Sequence, residues 1–166
     1  TGIGSINGGA GNDIITGSAL ADTILGGTEN DTITGGAGND TLNGGEGNDT
    51  LNGGSGNNLL DGGSGTDVAQ YSGAAGTYSV SDNGNGTYAL VGGGISDTLV
   101  GIENLNFSDG TVTLLSRVGL GLTIAGTAAA ETLTGGGNAD TITGLGGDDT
   151  LVGNGGNDLF RVTGAA

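Results

Sequence analysis

The groups in this sequence best able to do chemistry are carboxylates set nine residues apart. They are Asp13, Asp22, Asp31, Asp40, Asp49 and Asp67, then Glu131, Asp140, Asp149 and Asp158. Asn58 occupies the same place in the register, between Asp49 and Asp67. Regularly spaced hard oxygen donors suit a hard divalent cation. Calcium fits best, because it accepts six to eight oxygens in loose geometry, backbone carbonyls included. The chain has no histidine and no cysteine, so zinc and other transition metals lack their usual ligands.

The acids belong to a repeat. From Gly8 the chain runs in nine-residue units without a slip: GGAGNDIIT, GSALADTIL, GGTENDTIT, GGAGNDTLN, GGEGNDTLN, GGSGNNLLD and GGSGTDVAQ. The period returns from Gly126 as GTAAAETLT, GGGNADTIT, GLGGDDTLV and GNGGNDLFR. These eleven units hold 99 of the 166 residues. Position six is acidic in ten of the eleven, and position eight is a large apolar residue in ten, from Ile15 to Phe160, with Ala69 the exception.

Positions seven to nine therefore read as a three-residue strand with its middle side chain inward. Positions one to six read as a turn that needs positive φ and close backbone approach. Strands this short are unstable as isolated hairpins. Stacked as a coil that alternates between two sheets, units eighteen residues apart become neighbours. Asp13, Asp31, Asp49 and Asp67 then line one edge, and Asp22, Asp40 and Asn58 the other. Carboxylates stacked at the strand spacing of about 4.8 Å repel by roughly 1 kcal/mol in water and about 3.5 kcal/mol at an effective dielectric near 20. A cation between turns reverses that sign. The pairing predicts sites at Asp13/Asp31, Asp31/Asp49, Asp49/Asp67, Asp22/Asp40, Asp40/Asn58, Glu131/Asp149 and Asp140/Asp158. Turn carbonyls such as those of Gly8, Gly26, Gly35, Gly44, Gly53, Gly62, Gly135 and Gly144 would complete them. The Asn58 and Glu131 sites should be weakest, and the glycine pattern lapses at Leu20, Glu29, Ala129 and Asn138.

Composition narrows the function classes. Glycine is 42 of 166 residues, the formal charge is −16, and Arg117 and Arg161 are the only basic residues. So little positive charge leaves nothing to neutralise nucleic-acid phosphates or to hold an anionic membrane surface. No apolar run approaches the roughly 20 residues of a membrane-spanning helix. The opening TGIGSINGG lacks the pattern of a secretory signal, so a signal lies elsewhere or the chain is a piece of a longer one. Nucleophile–base catalysis has no histidine, cysteine or GxSxG to use, and the absence of lysine removes a phosphate-binding Walker loop. The reading is non-enzymatic.

The units GGAGNDIIT, GGAGNDTLN and GGEGNDTLN closely resemble the RTX (repeats-in-toxin) calcium-binding nonapeptide, GGxGxDxUx with U a large apolar residue. The resemblance implies an all-β fold, a right-handed parallel β-roll or β-solenoid that binds several calcium ions. It also implies type I secretion from a Gram-negative bacterium and calcium-triggered folding outside the cell. Family members carry such arrays beside proteases, lipases, toxins, surface layers and adhesins.

The expected organisation is a first roll over 1–70, a spacer over 71–125 and a second, shorter roll over 126–166. Within the spacer, 78–81 and 87–91 alternate like strands around the turn Asp82-Asn83-Gly84-Asn85-Gly86. Leu99, Ile102, Leu105 and Phe107 look like continued short strands of the roll. Asp97 and Asp109 are either further ligands or solvated turn acids, and Tyr71, Tyr78 and Tyr88 read as packing. An alternative role is a building block of a surface layer, adhesin or matrix fibre. It would stack head to tail with copies or with neighbouring repeats of a longer chain. An ice-binding roll would want a threonine row at position three, where Ala10, Ala19, Thr28, Ala37, Glu46, Ser55 and Ser64 stand instead.

Overall fold

The computed structural model describes residues 4–83, 85–116, 122–135, 140–155 and 157–163. Arg117 and Asn138, singled out above, and the turn residue Gly84 lie outside the described residues. The first array forms β1 (Ser5–Ala10), β2 (Ile14–Thr16), β3 (Thr23–Thr28), β4 (Thr32–Ala37), β5 (Thr41–Glu46), β6 (Thr50–Ser55), β7 (Leu59–Ser64) and β8 (Val68–Gln70). Odd strands build one sheet and even strands the other, each paired in parallel with the strand eighteen residues on, as in Ile24↔Leu42 and Ile33↔Leu51. This is a parallel β-solenoid.

Most strands are longer than the expected three residues. β3 to β7 each run six residues, because the ladder continues through the two glycines and the residue after them, as in Gly27↔Gly45 and Thr28↔Glu46. The glycine pair bends the strand but leaves its peptide groups in the sheet. One apolar side chain per unit points inward, and Ile24, Ile33, Leu42, Leu51 and Leu60 are all buried. Residues at position seven face out, as Ile14 does at 86 % exposure.

The middle keeps the two-sheet layout by a detour. After β8 a connection with a 3-10 turn at Ala75–Thr77 leads to β9 (Tyr78–Asp82), which joins the first sheet three strands beyond β7. The chain then turns back through β10 (Thr87–Gly92) to β11 (Ile95–Val100), which lies parallel on β7. It crosses to β12 (Asn104–Phe107), parallel on β8, and runs outward again through β13 (Gly110–Ser116) and β14 (Leu122–Ala125). Each sheet thus receives an antiparallel triplet in which only the central strand, β10 or β13, is reversed. The second array, β15 (Thr132–Thr134), β16 (Thr141–Gly144), β17 (Thr150–Val152) and β18 (Leu159–Val162), can therefore dock in parallel on β9 and β14.

One core runs through the body. Leu99 and Leu105 stack on Leu60 and Ala69 and are fully buried, whereas Ile102 is buried from the turn between β11 and β12 and belongs to no strand. Tyr71, Tyr78 and Phe107 pack ring to ring with centroids 5.3–5.7 Å apart. Phe160, expected inward, is 46 % exposed on the terminal strand β18.

Leu42→Ala leaves a cavity that two sheets held together by their own ladders cannot close, so it should cost about 2–5 kcal/mol in saturating calcium. Ile14→Ser, on the outer face, should stay within about 0.5 kcal/mol of the parent. Urea unfolding of both variants in calcium checks the contrast.

Candidate metal centre

Glycine serves two distinct needs in the regular turns. At position two it supplies left-handed backbone, with φ of +131° at Gly27, +112° at Gly36 and +112° at Gly45. At position one it supplies space. A Cβ placed on Gly44 would run into the Oδ2 of Asp49, in its own turn, and the carbonyl oxygen of Gly62, in the next. The same pair of oxygens meets at every regular turn. Asp13 Oδ2 and the Gly26 carbonyl converge beside Gly8, Asp31 and Gly44 beside Gly26, and Asp40 and Gly53 beside Gly35. In the second array Asp140 Oδ2 and the Gly153 carbonyl converge beside Gly135.

The acids stack in columns with an eighteen-residue step. The peptide N–H of Asp13 donates to Asp31 Oδ1 at 2.8 Å, Asp22 to Asp40 at 2.8 Å, Asp31 to Asp49 at 2.7 Å, and Asp49 to Asp67 at 2.7 Å. Glu131 donates to Asp149 at 3.2 Å and Asp140 to Asp158 at 2.9 Å. One oxygen of Asp31, Asp40, Asp49, Asp67, Asp149 and Asp158 thus stitches two turns together. The other is left over: Asp13, Asp31, Asp40, Asp49, Asp67 and Asp149 each bury an Oδ2 with no hydrogen-bond partner. A buried anionic oxygen facing a carbonyl oxygen, with no donor between them, needs a cation. The donor set, hard oxygens with no nitrogen or sulfur, fits calcium. Among the described residues no three acidic side chains cluster, so backbone carbonyls must supply much of any coordination shell.

Other expected ligands stand differently. In the two units where position two is Ser or Thr, that residue's own N–H turns onto the acid: Ser18 N–H donates to Asp22 Oδ2 at 2.6 Å and Thr127 N–H to Glu131 Oε2 at 2.8 Å. The Thr127 hydroxyl also binds Glu131 Oε1. Asn58 uses its Oδ1 for the Asp40 N–H at 2.9 Å and directs its Nδ2, a donor, toward Gly53. The Gly135 and Gly144 carbonyls accept from Asn154 Nδ2 at 2.7 Å and Thr163 N–H at 2.9 Å. Gly8 supplies space at the start of its column. Asp109 accepts the Ala75 N–H at 2.8 Å and anchors the 3-10 turn, away from both columns.

The middle segment continues both columns. Asp97 accepts the Asn58 N–H at 2.8 Å, and Glu103, absent from the expected set, accepts the Asp67 N–H at 2.7 Å. The sequence signal for both is an acid two residues before a buried leucine, in Asp97-Thr98-Leu99 and Glu103-Asn104-Leu105. The asparagines at position five form a second stitch of opposite sense. Asn12 Oδ1 accepts the Asn30 N–H at 2.9 Å, Asn30 that of Asn48 at 2.7 Å, and Asn57 that of Ser96 at 3.0 Å. Outward rows of asparagine are thus brackets between turns.

Electrostatics mark the columns as under-neutralised. Burial, partly offset by the neighbouring peptide N–H, pushes Asp40, Asp49 and Asp97 above the ordinary carboxylate range. Asp67 rises to about 6, chiefly through burial, with the charges of Asp49, Glu103 and Asp61 adding to it.

The sequence matches the RTX calcium-binding nonapeptide repeat over residues 1–33, 16–51, 34–69 and 125–160, more than half of the chain. Among curated proteins none matches. Of solved structures, the extracellular lipase LipA from Serratia marcescens is similar at 24% identity and a TM-score of 0.35, over 93% of this chain and 28% of that one. The present chain therefore spans under a third of the length of that lipase. Repeat, solenoid and paired oxygens together place this chain in the RTX calcium-binding nonapeptide repeat family, as a structural, calcium-binding β-solenoid module.

Proposed function

We propose that this chain is a calcium-gated folding element of a secreted or cell-surface protein. Calcium would sit between successive turns at Asp13, Asp31, Asp40 and Asp49, joined by the Gly26, Gly44, Gly53 and Gly62 carbonyls, and between Asp140 and Gly153. The observation that carries the reading is that Asp13, Asp31, Asp40 and Asp49 each bury an Oδ2 without a hydrogen-bond partner, opposite a glycine carbonyl of the next turn. The arrays in 1–70 and 126–166 would take up the metal and the segment 71–125 would join them. Without metal the stacked acids oppose the coil, so the chain stays extended. That state suits export through a narrow channel, and the calcium outside the cell then orders it. Among the described residues no helix is long and apolar enough to cross a membrane.

Calcium titration followed by circular dichroism tests the proposal. The expected course is coil in chelator, a cooperative gain of β signal with calcium, and little response to magnesium, which dehydrates reluctantly and demands stricter geometry. Full β signal in chelator would overturn it. Gly44→Ala fills the space between Asp49 and the Gly62 carbonyl without demanding unusual backbone. It should raise the calcium midpoint about tenfold, equivalent to about 1.4 kcal/mol.

Protons should replace calcium in part. The folded-state values of Asp40, Asp49 and Asp67 lie above those of free carboxylates, so folding takes up protons. In chelator the coil should therefore gain order as pH falls from about 6 toward about 4, and lose it as pH rises through about 6. Dichroism across that range in chelator reads the sign directly.

A further inference from the structure

The columns do not stop where the repeats stop. After Val100 the chain makes a turn of only three residues, Gly101, Ile102 and Glu103, before β12 pairs with β8. Read against the nonapeptide, GIENLN keeps position one and positions six to nine, and replaces the four between by Ile102, which is buried. The shortened turn stacks on the turn 62–67. The N–H groups of Glu103 and Asn104 donate to the Asp67 carbonyl at 3.2 and 3.0 Å, and the Asp67 N–H returns a bond to Glu103 Oε2 at 2.7 Å. The extra methylene of glutamate makes up the reach that the missing residues cost.

This junction reproduces the features of the repeat turns without being one. Asp67 is 0 % exposed, and its Oδ2 has no partner. The carbonyl oxygen of Gly101 faces that oxygen across the space left by Gly62, where a side chain would strike both. The left-handed φ of +55° at Gly101 belongs to the tight turn that brings its carbonyl there. The opposite edge at the same level is closed otherwise: the second oxygen of Asp97 accepts the Tyr71 hydroxyl at 3.2 Å. One junction acid has a phenol for its spare oxygen, and the other has only further acceptors.

We propose that a divalent cation, calcium by its all-oxygen donors, binds between Asp67, the Gly101 carbonyl and Glu103, and so fastens the middle segment to the end of the first array. Two carboxylates and a carbonyl provide the charge and the hard oxygens such an ion requires. The inference rests on the calcium reading above but concerns a turn outside the repeats. Ordering of 98–116 then depends on the metal bound at Asp67, the last acid of the first array.

Glu103→Gln separates the roles, because the amide oxygen can still accept the Asp67 N–H while the charge is lost. Calorimetric calcium titration of the full chain should show one ion fewer, or that ion weakened about tenfold. Hydrogen exchange read by mass spectrometry should need correspondingly more calcium to protect 98–116, while 23–55 keeps its midpoint. Gly62→Ala fills the same space from the other side and should lose the same ion, which decides the matter if Glu103→Gln fails to order. Both variants binding the parental number of ions at parental affinity would overturn the site. A parent chain that binds no calcium would instead sink the broader reading.

Discussion

Everything in this fold depends on how a turn acid divides its two oxygens. One accepts a peptide N–H from the adjacent turn and sets the stacking distance. The other is carried into the interior with a carbonyl oxygen opposite and no donor in reach. A backbone bond to a carboxylate favours its charged form, and burial opposes it. The turn therefore holds an anion it cannot neutralise by itself. Position-one glycines matter for the same reason, since any side chain there would occupy the place the two oxygens share. Aspartate has the reach for both tasks, whereas asparagine at 58 meets the first and puts an amide nitrogen in the second.

The apolar core is too thin to dominate that electrostatic problem. Each unit contributes a single inward residue, so burial grows only as fast as the columns of acids do. Side-chain stitches at positions five and six satisfy the turn N–H groups in opposite directions, which leaves the carbonyls and carboxylates as the surplus. At three acids the spare oxygen has a donor. Ser18 and Thr127 hand their own N–H groups to Asp22 and Glu131, and Tyr71 does the equivalent for Asp97. The chain thus mixes turns that demand an ion with turns already satisfied.

Much of this was legible in the sequence. The nine-residue period gave the two sheets, the inward residues and the eighteen-residue columns, because each follows from strand alternation and stacking. The strands exceed the expected length because the glycine pair, read only as turn, still donates and accepts within the ladder. The middle was harder. Its return path is decided by which strand edges remain open after β8, and no periodic pattern records that. Glu103 was missed because its turn is three residues long, so counting by nine passes over it. The state of Asp22 was hidden because it depends on where the Ser18 N–H points, not on the acid itself.

Crystals grown in calcium, measured at a wavelength where calcium scatters anomalously, test the central claim most directly. Peaks are expected between Asp13 Oδ2 and the Gly26 carbonyl, and at the matching places beside Asp31, Asp40 and Asp49, with none at Asp22 or Glu131. An ordered roll with no peak beside those four aspartates would contradict it.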